Sequence, residues 1–210
     1  MTPETRVFKN TEFRVKTDEE GRSIIEGYSA VFDSPSENLG WGDFEVREYI
    51  QKGAFTQALK DSDARALFNH DPNYVLGRES AGTLTIKQDE RGLYSVIILP
   101  DTAFASDLAK SIHRGDIKEQ SFAFIVSADK WDEDRKNKKA VRTITEIKSL
   151  IDISPVTYPA YPDTTLSKRS YDRYKSLTAV EINSKKAKNI HKHFKLKEKI
   201  YRRTQCHSSN

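Results

Sequence analysis

The chain has 210 residues, 36% hydrophobic and 31% charged, with a formal net charge of +4. That length suits one domain of ordinary size with residues left over for a tail. No apolar run approaches the roughly 18 residues needed to cross a bilayer, so no membrane span is expected. The first residues, Met1-Thr2-Pro3-Glu4-Thr5-Arg6, carry neither the apolar segment nor the cleavage signal of a secretory leader. The single cysteine, Cys206, excludes a disulfide framework within one chain and fits a reducing cytoplasm. The charge is unevenly spread. From residue 166 onward there are 13 basic and 3 acidic residues, which leaves a net −6 for everything before. The expected organisation is therefore a mildly acidic body, residues 1–165, and a basic tail, residues 166–210.

Residues 10–32 alternate as two strands around the turn Asp18-Glu19-Glu20-Gly21. A loop follows over 33–40, then strand character over 44–50. Gly53 precedes a short expected helix, residues 54–60, with Phe55 and Leu59 on one face. Residues 64–68 read as a strand running into Asn69-His70-Asp71-Pro72, where the proline disfavours helix and sets His70 at a strand end facing a loop. A second hairpin covers 84–100. Residues 102–114 form the clearest helix, with Phe104, Leu108 and Ile112 on one stripe, Asp101 or Thr102 as cap and Gly115 as stop. Residues 117–126 then alternate as a strand, with Phe122, Phe124 and Val126 on one face and Ser121, Ala123 and Ile125 on the other. A charged loop is expected around Trp131, residues 130–139. Residues 140–147 and 149–154 read as two linked strands or one bent strand, ended by Pro155, Pro159 and Pro162. Many short strands with two modest helices predict a mainly β fold, barrel or sandwich, with peripheral helices.

Ser121 is either an ordinary strand residue or a nucleophile held on a rigid element. His70 lies at a strand mouth, a usual place for functional side chains, though a structural histidine would also sit there. His113 falls in the last helical turn, where the helix dipole is reason enough for it. Asp152 stands in the apolar run Leu150-Ile151-Asp152-Ile153 and needs a partner, either an imidazole N–H or an Arg or Lys in an ion pair. A serine, a histidine and an aspartate on separate strands have the composition that acyl transfer requires: a hydroxyl, a base and a group that fixes the base's tautomer. There is no Gly-x-Ser-x-Gly elbow, phosphate-binding loop or dinucleotide fingerprint, so no cofactor is expected. His191, His193, Cys206 and His207 fit no standard metal spacing, so no metal is expected either. The basic tail could bind nucleic acid by counterion release, dock an acidic protein surface or remain solvated. It contains no nucleic-acid-binding motif, so nucleic acid is the weakest of these readings.

Several segments, in order, resemble the prohead maturation serine proteases of tailed bacteriophages. They are Glu26-Gly27-Tyr28-Ser29-Ala30-Val31-Phe32, Glu48-Tyr49-Ile50 with Gly53-Ala54-Phe55, and Asn69-His70-Asp71 followed by Leu76-Gly77. Gly92-Leu93, the strand around Ser121-Phe122, and the segment from Asp152-Ile153-Ser154 to Pro162 complete the set. The resemblance implies a fold similar to the herpesvirus assemblin proteases, a β-barrel surrounded by helices. It also implies Ser121 as nucleophile, His70 as base and Asp152 as third member. Substrates would be the scaffold protein or the scaffolding segment of the major capsid protein inside the immature head in the host cytoplasm, and the chain itself. Because the assemblin proteases depend on dimerisation, a homodimer is also in view. The family more often has Met-Ser-Phe-Gly-Phe where this chain has Gln120-Ser121-Phe122-Ala123-Phe124, and often Glu in place of Asp152. The rival reading is a non-catalytic capsid-assembly or scaffolding protein that keeps the fold.

Overall fold

The computed structural model describes residues 3–7, 13–158, 168 and 170–176. The chain divides into two compact units, Met1–Ser167 and Lys168–Asn210. In the second unit the described residues are helical, and most of the basic segment, with His191, His193, Cys206 and His207, lies outside them. No helix among the described residues is long and apolar enough to cross a membrane.

The first unit is mainly β with few helices, as the strand-rich pattern predicts. Its strands are β1 (Glu4–Val7), β2 (Phe13–Thr17), β3 (Ser23–Val31), β4 (Glu45–Ile50), β5 (Arg65–Phe68), β6 (Asp71–Arg78), β7 (Leu84–Gln88), β8 (Gly92–Ile98), β9 (Glu119–Asp134) and β10 (Lys139–Val156). The helices are α1 (Ala58–Asp61) and α2 (Ala103–Arg114). One sheet runs β1-β9-β10-β5-β6 with β4 also paired to β10, and the other runs β2-β3-β8-β7. Among the described residues the two sheets stay open and do not close into the expected barrel.

Between the sheets lies one apolar cluster. Ile25, Leu93 and Ile97 of the smaller sheet meet Phe122, Phe124, Ile147 and Ile153 of the larger, with Phe55 edge-on to Phe122 at 5.8 Å. The alternation expected for residues 117–126 is therefore realised, and the phenylalanine face is the core face. Helix α2 buries Ala105, Leu108, Ala109 and Ile112. Its start is capped by Thr102, whose Oγ1 accepts from Ala105 N at 3.2 Å, and it stops at Gly115 with φ 86°. Helix α1 is shorter than expected, because residues 53–57 form turns.

The segment expected as a charged loop, residues 130–139, is instead mostly strand. β9 and β10 pair continuously from Lys139↔Asp134 to Val156↔Glu119, and only residues 135–138 turn. Lys, Asp and Glu make that stretch look like a loop, but their side chains lie on solvated faces while the backbone bonds are satisfied across the ribbon. β10 is one long strand with four register shifts. Strand β6, unforeseen from the sequence, gives His70 a different setting. Asn69 and His70 are the two residues joining β5 to β6, both with positive φ (55° and 58°), the conformation of a type I′ hairpin turn.

That turn is tied to the end of β10. Asn69 N donates to Pro155 O at 3.0 Å, Asn69 Nδ2 donates to Thr157 Oγ1 at 3.2 Å, and Thr157 N donates to Asn69 Oδ1 at 2.8 Å.

A second constraint lies on the core-side face of β1. Glu4, Arg6, Glu48 and Arg142 are all buried and bonded to one another. Arg6 Nε meets Glu48 Oε1 at 2.8 Å, and Arg142 Nη1 meets Glu4 Oε2 at 2.7 Å and Glu48 Oε2 at 2.8 Å. Arg142 also reaches Asp129 at 2.7 Å and lies over the Trp131 ring at 5.7 Å. Burial works to raise the Glu48 carboxyl, but Arg6 and Arg142 outweigh it and hold the group below the ordinary carboxylate range.

Two outcomes follow from these contacts. Glu48→Gln leaves Arg6 and Arg142 under-compensated and should destabilise the fold by about 3–5 kcal/mol in urea unfolding. The wild type should lose the Glu48 contribution as pH falls below about 4, where the unfolded carboxyl takes up its proton more readily than the folded one. A variant as stable as wild type, with the same acid limb, would show the cluster to be energetically idle. Asn69→Ala should cost about 2 kcal/mol, from lost side-chain bonds and the left-handed backbone together, and Asn69→Gly about half as much. Equal losses would mean that backbone conformation contributes nothing at this turn.

Candidate active site

The sites of Ser121 and Asp152 depend on the register between β9 and β10. Ser154 lies opposite Ser121 and Asp152 opposite Ala123, so all four share the face of the larger sheet that points away from the core. Leu150 and Asp152 are two apart and would share a face in a regular strand. A register shift between them changes this: Leu150 pairs with Phe124 on the core face, while Asp152 pairs with Ala123 on the other. Ile151 is the extra residue of a β-bulge, and it re-aims the carboxylate.

The hairpin turn brings His70 to the same face. His70 Nδ1 lies 2.6 Å from Asp152 Oδ1, and Nε2 lies 2.7 Å from Ser121 Oγ. A carboxylate only accepts, so Nδ1 carries the proton and donates it to Asp152. Nε2 is then left with its lone pair directed at the Ser121 hydroxyl. This is the tautomer in which an imidazole can take a proton from serine. The left-handed backbone at His70 is unfavourable for a non-glycine residue, and such strain is tolerated where surrounding structure fixes it. Here the Asn69 bonds to Pro155 and Thr157 do so.

The three side chains differ in exposure. Ser121 is 0% exposed and Asp152 4%, whereas the His70 side chain is 22% exposed. Asp152 Oδ1 also accepts from the buried Ser154 Oγ at 2.7 Å. One carboxylate oxygen thus receives two donors, which fixes its rotamer. The ion-pair alternative for Asp152 is not what forms. Arg65, its register neighbour on β5, directs its guanidinium to Asp63, with Nη2 3.8 Å from the carboxylate. Ser121 Oγ has a second acceptor in reach, the carbonyl oxygen of Arg6 at 3.1 Å, because Val7 of β1 pairs with Ser121. The shorter contact is to the imidazole.

The structure therefore brings Ser121, His70 and Asp152 together from β9, the β5–β6 turn and β10. His113 lies apart, exposed at the end of α2. No metal-holding cluster of His, Cys, Asp and Glu occurs among the described residues. The sequence reading did not single out Asn69, Ser154 or the Arg6 carbonyl. Asn-His at a strand end is a signal for a type I′ turn, and Asp-x-Ser in one strand is the signal for Ser154, but a backbone carbonyl from β1 leaves none.

The match to a family model agrees with the resemblance read from the sequence. No curated protein matches the chain. Among solved structures, the capsid assembly protease of bacteriophage T4 is similar at a TM-score of 0.49 and 13% identity, covering 76% of this chain and 100% of that one. The model of the caudovirus prohead serine protease family matches residues 11–177, a span that includes Ser121, His70 and Asp152, and the chain belongs to that family.

Proposed function

We propose that the protein is a serine endopeptidase of phage head maturation. It would act inside the prohead, in the host cytoplasm, on the scaffold protein or the scaffolding segment of the major capsid protein, and on itself. The observation that carries this reading is the unbroken run of short contacts from Asp152 through His70 to Ser121, at 2.6 and 2.7 Å. Membership of the prohead protease family supports this substrate class.

In this mechanism His70 Nε2 removes the Ser121 proton as Oγ attacks the scissile carbonyl carbon. Asp152, by accepting from Nδ1, holds the ring in the required tautomer and stabilises the imidazolium. The imidazolium then gives its Nε2 proton to the leaving amine nitrogen as the C–N bond breaks, leaving an acyl-serine. Water, deprotonated by His70, releases the acid and restores Ser121. The second donor on Asp152 Oδ1, Ser154, is a positioning residue, because it keeps the carboxylate aimed at Nδ1.

Co-expression with the cognate capsid protein, with chain lengths read by mass spectrometry, tests the reading. Ser121→Ala should abolish processing, and Asp152→Asn should slow it by on the order of 10⁴. Equal processing by wild type and Ser121→Ala would overturn the proposal. Ser154→Ala should lower kcat about tenfold with KM unchanged, and Ser154→Thr should restore most of the loss. A change confined to thermal stability would make Ser154 a core residue and nothing more.

A further inference from the structure

A serine that attacks a peptide needs its Oγ open to the carbonyl carbon, at about 3–3.5 Å. Ser121 is 0% exposed. On one side its register partner is Ser154 of β10, and His70 Nε2 lies 2.7 Å from Oγ. The other side, the edge of β9 away from β10, is taken by β1. Val7 pairs with Ser121, Thr5 pairs with Ala123, and the Arg6 carbonyl oxygen is 3.1 Å from Ser121 Oγ. β1 is an edge strand of the larger sheet, only 4 residues long. It precedes residues 11–177, the span that the family model matches.

The groups that hold β1 are ones that can let go. None of its residues joins the apolar cluster between the sheets. Its two buried side chains, Glu4 and Arg6, bond to each other at 2.7 Å as well as to Arg142 and Glu48. Lifting β1 therefore withdraws a neutral pair. What stays behind is also matched, because Arg142 keeps Glu48 at 2.8 Å and Asp129 at 2.7 Å. The heavy cost of leaving a buried charge without its partner does not arise. A short edge strand held in this way can open locally while the body stays folded.

Resting on the endopeptidase reading above, we infer that β1 is a built-in plug. Docked on β9 it closes the site, and a substrate peptide reaches Ser121 only after β1 has left. The vacated edge of β9 then offers its backbone N–H and C=O groups to an extended peptide, which pairs there as an added strand. Plug and peptide compete for one edge, so reaction at Ser121 scales with the fraction of molecules whose β1 is undocked.

The test is the rate at which a fluorophosphonate labels Ser121, located by mass spectrometry, with Ser121→Ala as the blank. The full chain is compared as wild type, as Glu4→Ala/Arg6→Ala, and as Thr5→Cys/Ala123→Cys in a Cys206→Ser background, oxidised and reduced. Residues directly opposite in an antiparallel pair lie about 4.5–5.5 Å apart at Cα, a separation that a disulfide spans. Circular dichroism verifies folding. Glu4→Ala/Arg6→Ala, with β1 freed, should label at least about tenfold faster than wild type. The oxidised cysteine pair should label at least about tenfold more slowly than the same protein after reduction. An equal or lower rate in a folded Glu4→Ala/Arg6→Ala overturns the plug and leaves the protease reading intact. So does an oxidised pair that labels as fast as the reduced one. If the new thiols silence Ser121 in both states, the comparison of Glu4→Ala/Arg6→Ala with wild type decides alone. Absence of Ser121 labelling in every form, the freed one included, overturns the protease reading and the plug with it.

Discussion

The pairing of β9 with β10 is the constraint on which the rest depends. It is the longest ladder among the described residues, and it supplies both faces of the larger sheet. One face places Phe122, Phe124 and Ile153 in the core, and the other carries Ser121, Asp152 and Ser154. A side-chain period of two would normally forbid Leu150 and Asp152 from serving opposite faces. The bulge at Ile151 permits it, so that a strand can anchor in the core at Leu150 and present a carboxylate two residues later. A register slip of one residue would exchange the two sets and turn the polar one into the apolar core.

His70 arrives by a different device. A type I′ turn is the tightest way to reverse an antiparallel pair, and it projects its two residues beyond the sheet edge. Tethering through Asn69 to Pro155 and Thr157 joins that turn to the strand that holds Asp152. The imidazole is thus positioned from one side by backbone and from the other by the carboxylate. Little is left to side-chain rotation, which is the condition for a short serine–imidazole contact to persist.

Two groups of buried polar side chains bear on the site. Around Asp152, His70 Nδ1 and Ser154 Oγ donate to the carboxylate, and Ser121 Oγ donates to His70 Nε2. Behind β1, Glu4 and Glu48 are matched to Arg6 and Arg142. The groups meet at Arg6, whose guanidinium is held in the second while its carbonyl oxygen faces Ser121 Oγ. The register that secures β1 against β9 therefore also sets one wall of the space around the serine. Removing a partner from either group would leave a buried polar atom unmatched, which costs more than the bond is worth when formed.

The sequence by itself determined the strand-rich class, the core face of β9, the limits of α2 and the residues whose chemistry needed partners. Each of these is local, since period, capping and the cost of an apolar-flanked carboxylate can be read within a few residues. The meeting of Ser121, His70 and Asp152 was suggested by family resemblance, but residue types alone favoured an arginine or lysine partner for Asp152. Tertiary structure decided that it faces His70, because a bulge changes side-chain direction without leaving a distinctive composition. It also decided that β6 exists, that most of the expected charged loop over 130–139 continues a ribbon, and that the sheets remain open. The two hairpins are closed by backbone bonds between neighbouring segments, which leave little mark on side-chain composition, and the open sheets reflect which strands far apart in the chain pair.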